Sequence, residues 1–117
     1  MTATIYHNPA CTTSRKVLAL LRDHGEQPQV IEYLQTPPTR ATLQRLIADM
    51  GVTVRDMLRR KGTPYDALGL ANPALSDDAL LDAMLAHPIL IERPIVVTPR
   101  GTKPCRPPET VLDLLTP

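Results

Sequence analysis

The sequence has no phenylalanine and no tryptophan, and its 3% aromatic content is three tyrosines. Stacking of bases needs aromatic platforms, so this scarcity argues against a nucleic-acid partner. A dominant charge is missing too: 13 basic against 12 acidic residues give a formal net charge of +1. That balance argues against a nucleic-acid coat and against a polybasic membrane binder. Cysteine is scarce, with only Cys11 and Cys105, too few for a disulfide scaffold. No run approaches the roughly 18 consecutive apolar residues of a membrane-spanning helix. The opening Met-Thr-Ala-Thr-Ile-Tyr-His lacks the apolar core of a secretion signal. These absences predict a cytoplasmic protein with free thiols and no membrane attachment. Lysine is rare as well: with only Lys16, Lys61 and Lys103, ten of the 13 basic residues are arginine. The planar guanidinium fork suits tetrahedral oxyanions better than an ammonium does.

What is present fits one globular domain over residues 1–117. The chain is 43% hydrophobic and 21% charged, both ordinary proportions, and long enough to bury its own core. Its 13 prolines predict many short elements with sharp stops.

Residues 3–7 read as a first strand, broken by Asn8-Pro9. From about 13 to 24 the spacing of Val17, Leu18 and Leu21 predicts a helix, stopped by Gly25. Residues 29–34 read as a second strand, so the chain opens as a βαβ unit with a parallel pair. A helical block then runs from about 39 to 88. Thr39 caps a helix carrying Leu43, Leu46, Ile47 and Met50 and ending at Gly51. Thr53 and Asp56 form a capping box for a second helix with Val54, Met57 and Leu58. Pro64 to Leu70 reads as a turn or short helix. Ser76-Asp77-Asp78 opens a third helix, closed by His87-Pro88. Ile95 to Thr98 is the clearest strand, and Pro99-Arg100-Gly101 turns the chain into a partner near 102–105. A final helix starts at Pro108. The outer segments together give the βαβ plus ββα arrangement of a thioredoxin-like α/β fold, with the helical block as an insertion.

The strongest chemical signal is His7-Asn8-Pro9-Ala10-Cys11-Thr12-Thr13-Ser14, between the first strand and first helix. The opening N–H groups of a helix have no helical partners and favour a thiolate or an anion. A thiol pKa lowered by about 2 units corresponds to about 2.7 kcal/mol in favour of the thiolate. His7 is a candidate cation or hydrogen-bonding group beside it. Arg93 and Arg106 flank loops of the ββα part, which in this fold approach the first strand–helix junction. Arg55, Arg59 and Arg60 crowd one stretch, and the sequence does not say which of them faces a site. Pro94 stands where thioredoxin-like folds carry a cis-proline. No His/Cys cluster has zinc-ligand spacing, so neither a metal nor a bound cofactor is expected.

These residues resemble the glutaredoxin-coupled arsenate reductase family, of the ArsC type. The matching runs are Ile5 to Cys11, Tyr33 to Arg40, Ile47 to Gly51, Val54-Arg55 to Leu58-Arg59, Pro64 to Leu70, His87 to Ile91, Arg93 to Pro99, and Cys105-Arg106-Pro107. They cover nearly the whole chain in order. The resemblance implies Cys11 as nucleophile, His7 as its activator and Ser14 as support for the thiolate. It implies Arg59, Arg93 and Arg106 as an arginine cage for the oxyanion. It implies arsenate as substrate, glutathione as first reductant and glutaredoxin as partner; a monomer is expected. Thr12 departs from the pattern, standing where a glycine is expected. Two other readings compete. One is a related thiol oxidoreductase acting on another substrate. The other is a transcription regulator of the Spx type, whose Cys-x-x-Cys switch is missing here because position 14 is serine.

Overall fold

The computed structural model describes residues 2–115. Its elements follow the chain in short pieces, as the proline content predicts. Strand β1 is Thr4–His7, helix α1 Thr12–Asp23, strand β2 Gln29–Glu32, helix α2 Arg40–Met50, helix α3 Asp77–Ala86, strand β3 Ile95–Thr98 and strand β4 Gly101–Pro104. Three 3-10 segments complete it, at Arg55–Met57, Pro88–Leu90 and Pro108–Leu114. No helix among the described residues is long and apolar enough to cross a membrane.

Two compact units emerge. The first joins the chain up to Thr36 with the chain from Arg93 onward. It holds a four-stranded sheet in the order β2-β1-β3-β4. Strand β1 pairs with β2 in parallel, with Ile5 opposite Val30, and the intervening α1 is the crossover. On its other side β1 pairs antiparallel with β3, which pairs antiparallel with β4. This is the thioredoxin-like βαβ plus ββα arrangement. Ile5, Val17, Leu21, Val96, Cys105, Val111 and Leu114 form its core, each 1% exposed or less. Helix α1 and the last 3-10 segment pack on each other and on the sheet. The Arg93–Pro94 bond at the entry to β3 is cis, as is Arg106–Pro107.

The second unit spans Pro37–Glu92. Thr39 caps α2 by accepting from the Thr42 amide at 3.2 Å, and Ser76 caps α3 by accepting from the Ala79 amide at 3.1 Å. Arg40 on α2 reaches Asp78 and Asp82 of α3 at 2.9 and 2.5 Å. All three side chains are at least a third exposed, so packing of Leu43, Leu46, Ile47, Leu80, Leu81 and Met84 is the larger contribution.

Three expectations change. Strand β2 stops at Glu32 instead of 34, because the Glu32 carbonyl accepts from both the Gln35 and Thr36 amides and curls the chain into a turn. The capping box at Thr53 and Asp56 forms in both directions, at 3.0 and 3.1 Å, yet no α-helix follows. Only the 3-10 turn Arg55–Met57 grows there. Beyond it Leu58 bridges Ile91, the Arg59 amide donates to the Leu90 carbonyl, and the Met57 carbonyl accepts from the Glu92 amide. Those groups are thus used across the chain and not along a helix. The last helix is also 3-10, over Pro108–Leu114. Its three-residue repeat keeps Val111 and Leu114 on one buried face.

Gly51 closes α2 in the left-handed region at φ +69°, with nothing within 4 Å of where a Cβ would stand. Any cost of a side chain there is therefore backbone cost. Gly51→Ala is expected to destabilise the protein by about 1 kcal/mol, and Gly51→Asn by less, in urea unfolding.

Candidate active site

The end of β1 delivers His7 into a tight loop whose shape comes from Asn8. The Asn8 side-chain oxygen accepts from the Ala10 amide at 3.0 Å, and its backbone carbonyl accepts from the Cys11 amide at 3.0 Å. The loop therefore turns on its own hydrogen bonds and sets Cys11 as the residue capping α1, with φ −91° and ψ 122°. No full capping hydrogen bond forms from the helix to the Cys11 side chain, although the Ser14 N–H of the first turn faces the sulfur. Its sulfur is left for the groups around it.

Ser14, fully buried on the first turn of α1, ties these pieces together. Its hydroxyl accepts from the Asn8 amide at 3.1 Å and lies 2.6 Å from Nδ1 of His7. The hydroxyl has one proton and two acceptor lone pairs, so the direction of its bond to His7 follows the imidazole tautomer. Burial is the main cause holding the His7 pKa below its ordinary value; Glu32 pulls it up, while Arg22 and Arg15 push it down. Of the two roles left open for His7, the buried neutral ring fits the hydrogen-bonding one.

Cys11 itself is 9% exposed. Burial alone pushes a thiol pKa up. Here that push is outweighed by the Ser14 backbone N–H, by hydrogen bonds from the Arg93 and Arg106 side chains, and by the Arg93 charge, leaving the thiol at about 7. Nη1 of Arg106 lies 3.7 Å from the sulfur and also donates to the Arg93 carbonyl at 3.1 Å. The two arginines are thus joined to one another as well as to Cys11. Such donors around a sulfur bind an oxyanion by the same physics.

Cys11, His7, Ser14, Arg93 and Arg106 all lie in the first unit. Arg59 lies in the second, where its Nη1 pairs with Glu92 at 3.1 Å and its Nε donates to the Lys61 carbonyl at 3.2 Å. Its two neighbours have other work. Arg55 donates to the carbonyls of Leu70 and Asn72 at 2.8 and 3.0 Å. Arg60 pairs with Asp66 at the surface and lies over the Tyr65 ring. Cys105 is the opposite of Cys11: fully buried, its sulfur 3.6 Å from the Lys103 carbonyl, its thiol pushed up to about 12 by burial.

Sequence reasoning missed two residues that brace this loop. Asn8 registered only as a strand breaker. Arg15 went unnoticed, yet its Nη1 donates to the Pro9 carbonyl at 2.9 Å and its Nη2 to the Thr12 hydroxyl at 3.4 Å. The signal was available, since a basic residue in a first helical turn opposes the helix dipole and needs a compensating contact. The hydroxyl of Thr12, the residue that replaces an expected glycine, is one end of that brace.

Alkylation of Cys11 on a Cys105→Ser background is expected to show an inflection near pH 7. Arg93→Ala or Arg106→Ala should move it toward the free-thiol value of about 8.5. Because the folded pKa lies below the unfolded one, thiolate stabilisation of the fold is complete above about 8.5 and is lost as pH falls through about 7. Cys11→Ser should flatten the urea stability profile across that window.

Known proteins share this sequence and architecture. Residues 6–114 match the ArsC family. An arsenate reductase of Rhizobium meliloti (strain 1021) is 61% identical over 115 residues, which cover 98% of this chain and 82% of that protein. An arsenate reductase of Escherichia coli (strain K12) is 60% identical over 112 residues, covering 96% of this chain and 79% of that one. The solved structure of an arsenate reductase from Vibrio cholerae superposes with a TM-score of 0.93 at 51% identity, covering 98% of both chains. With a match this long and these relatives, the chain belongs to the ArsC family.

Proposed function

We propose that the protein is an arsenate reductase that uses the Cys11 thiolate as nucleophile and takes its electrons from glutathione and glutaredoxin. The observation that carries this reading is a thiol at the start of a helix, held at about pKa 7 by the Ser14 backbone N–H and by hydrogen bonds from Arg93 and Arg106. Near neutral pH that sulfur is substantially ionised, and the groups that stabilise it are those an oxyanion needs.

Arsenate carries several negative charges, spread over oxygens in a tetrahedron. Arg93 and Arg106 neutralise that charge in this reading, and Arg59 is assigned to the same oxyanion by its sequence motif. The thiolate attacks arsenic, a sulfur–arsenic bond forms, and one oxygen leaves as water after protonation. A glutathione thiolate then attacks the Cys11 sulfur of the adduct. A sulfur–sulfur bond forms, the sulfur–arsenic electron pair stays with arsenic, and As(V) becomes As(III), released as arsenite. The mixed disulfide left on Cys11 is opened by the glutaredoxin thiolate, which restores the Cys11 thiolate. His7 acts in this scheme through Ser14: by fixing the hydroxyl it fixes the turn whose backbone N–H faces the sulfur. Thiol reductants of this kind belong to a reducing compartment, so the reading puts the enzyme in the cytoplasm. It treats residues 1–117 as one thioredoxin-like domain with an inserted helical block.

The test is arsenite formation from arsenate with glutathione and glutaredoxin supplied together and singly. Full turnover is expected only with both. Cys11→Ser should abolish it and Cys105→Ser should retain it. Arg93→Ala should lower kcat/KM by about a hundredfold, the loss typical of one preorganised donor. Absence of arsenite with wild-type protein overturns the reading in favour of a thiol oxidoreductase acting on another substrate.

A further inference from the structure

We propose that Glu92 is a positioning residue, whose carboxylate holds the Arg59 guanidinium in place while leaving part of its fork for an oxyanion. The inference rests on the reading of Arg59 as an oxyanion ligand. Both residues belong to the second unit, and both are fixed by backbone before their side chains meet. The Arg59 amide donates to the Leu90 carbonyl at 2.7 Å, Leu58 bridges Ile91, and the Glu92 amide donates to the Met57 carbonyl at 2.8 Å. The Arg59 carbonyl in turn accepts from the Thr63 hydroxyl at 2.7 Å. From these anchored positions Nη1 of Arg59 meets Oε1 of Glu92 at 3.1 Å.

The burial of the pair is what separates it from an ordinary surface contact. The Arg59 side chain is 16% exposed and the Glu92 side chain 23%. A guanidinium this far from water is costly without an anion beside it. Glu92 supplies that anion before any substrate is present, and so allows Arg59 to be held in one place. The pairing is also incomplete. Nε is taken by the Lys61 carbonyl and Nη1 by Glu92, while Nη2 makes no hydrogen bond among the described residues. An oxyanion therefore finds a fork that is already aimed and still has N–H groups to give. The neighbouring arginines differ: both terminal nitrogens of Arg55 are used by carbonyls, and the Arg60 side chain is 67% exposed.

Glu92→Ala and Glu92→Gln separate positioning from simple structural support. The glutamine keeps an oxygen that accepts from Nη1, whereas alanine keeps none. Two readouts apply. In the first, arginines are labelled with phenylglyoxal and the rate at Arg59 is followed by peptide mass spectrometry. Glu92→Ala should label about five- to thirtyfold faster there, and Glu92→Gln should stay near wild type. In the second, steady-state arsenate reduction is measured. Glu92→Ala should raise KM for arsenate by a similar factor with kcat little changed, and Glu92→Gln should restore it. On an Arg59→Ala background, Glu92→Ala should add nothing further. A structural role would instead lower kcat at constant KM, through loss of folded enzyme. Unchanged Arg59 labelling in Glu92→Ala, or a fall in kcat alone, overturns the proposal. If wild-type protein forms no arsenite, the functional reading fails, and the labelling arm still decides whether Glu92 holds Arg59.

Discussion

Everything in the first unit converges on one opposition at the start of α1, where burial of the Cys11 sulfur works against its ionisation and a set of fixed donors works for it. The donors win because none of them has to be assembled. The Ser14 N–H is set by the helix, and the helix start is set by the Asn8 turn. Arg93 and Arg106 come from the two ends of the β3–β4 hairpin, and the Arg106 side chain is pinned to the Arg93 backbone. The sheet order places β1 beside β3, so the strand that delivers His7 and the strand entered through Arg93-Pro94 are neighbours. The thioredoxin-like arrangement is thus what makes a reactive sulfur inexpensive to maintain.

Ser14 shows how much of this passes through one small residue. Its backbone acts on the thiolate, and its side chain acts on His7 and on the loop. A buried hydroxyl must find partners, and here the two it finds are the last residue of β1 and the first residue of the loop. Register between strand and helix is thereby locked from inside the turn and does not depend on the loop's exposed face.

Local signals carried most of the fold. The caps at Thr39 and Ser76, the stop at Gly51 and the β-branched run Ile95 to Thr98 work through near neighbours in sequence, and all appear as expected. Strand β2 was misjudged at a local turn on the Glu32 carbonyl, and the stretch after Thr53 where distant backbone intervened. The capping box at Thr53 was read correctly, but no sequence pattern announces that Leu58 bridges Ile91 and uses up the groups a helix would need. The site divides in the same way. Cys11 is legible because a thiol after a strand-breaking turn has one obvious chemistry. The three arginines at 55, 59 and 60 look alike in sequence, since their differences lie in carbonyls and carboxylates that come from elsewhere in the fold. His7 was ambiguous because charge on imidazole depends on burial, and burial at a strand end is a property of the assembled core.

The depth of Cys105 has a stoichiometric consequence. A two-electron reduction by thiols needs two sulfurs, and this chain offers solvent only one, because the other is sealed in the core with its proton held to about pH 12. In the proposed scheme Cys105 takes no part in closing the cycle. Each catalytic round in the proposed scheme must therefore draw a partner sulfur from outside, and throughput becomes a function of how reduced the surrounding thiol pool is. In that scheme a depleted pool leaves the protein halted with the Cys11 sulfur occupied, so its turnover would gauge the reductant that the scheme consumes.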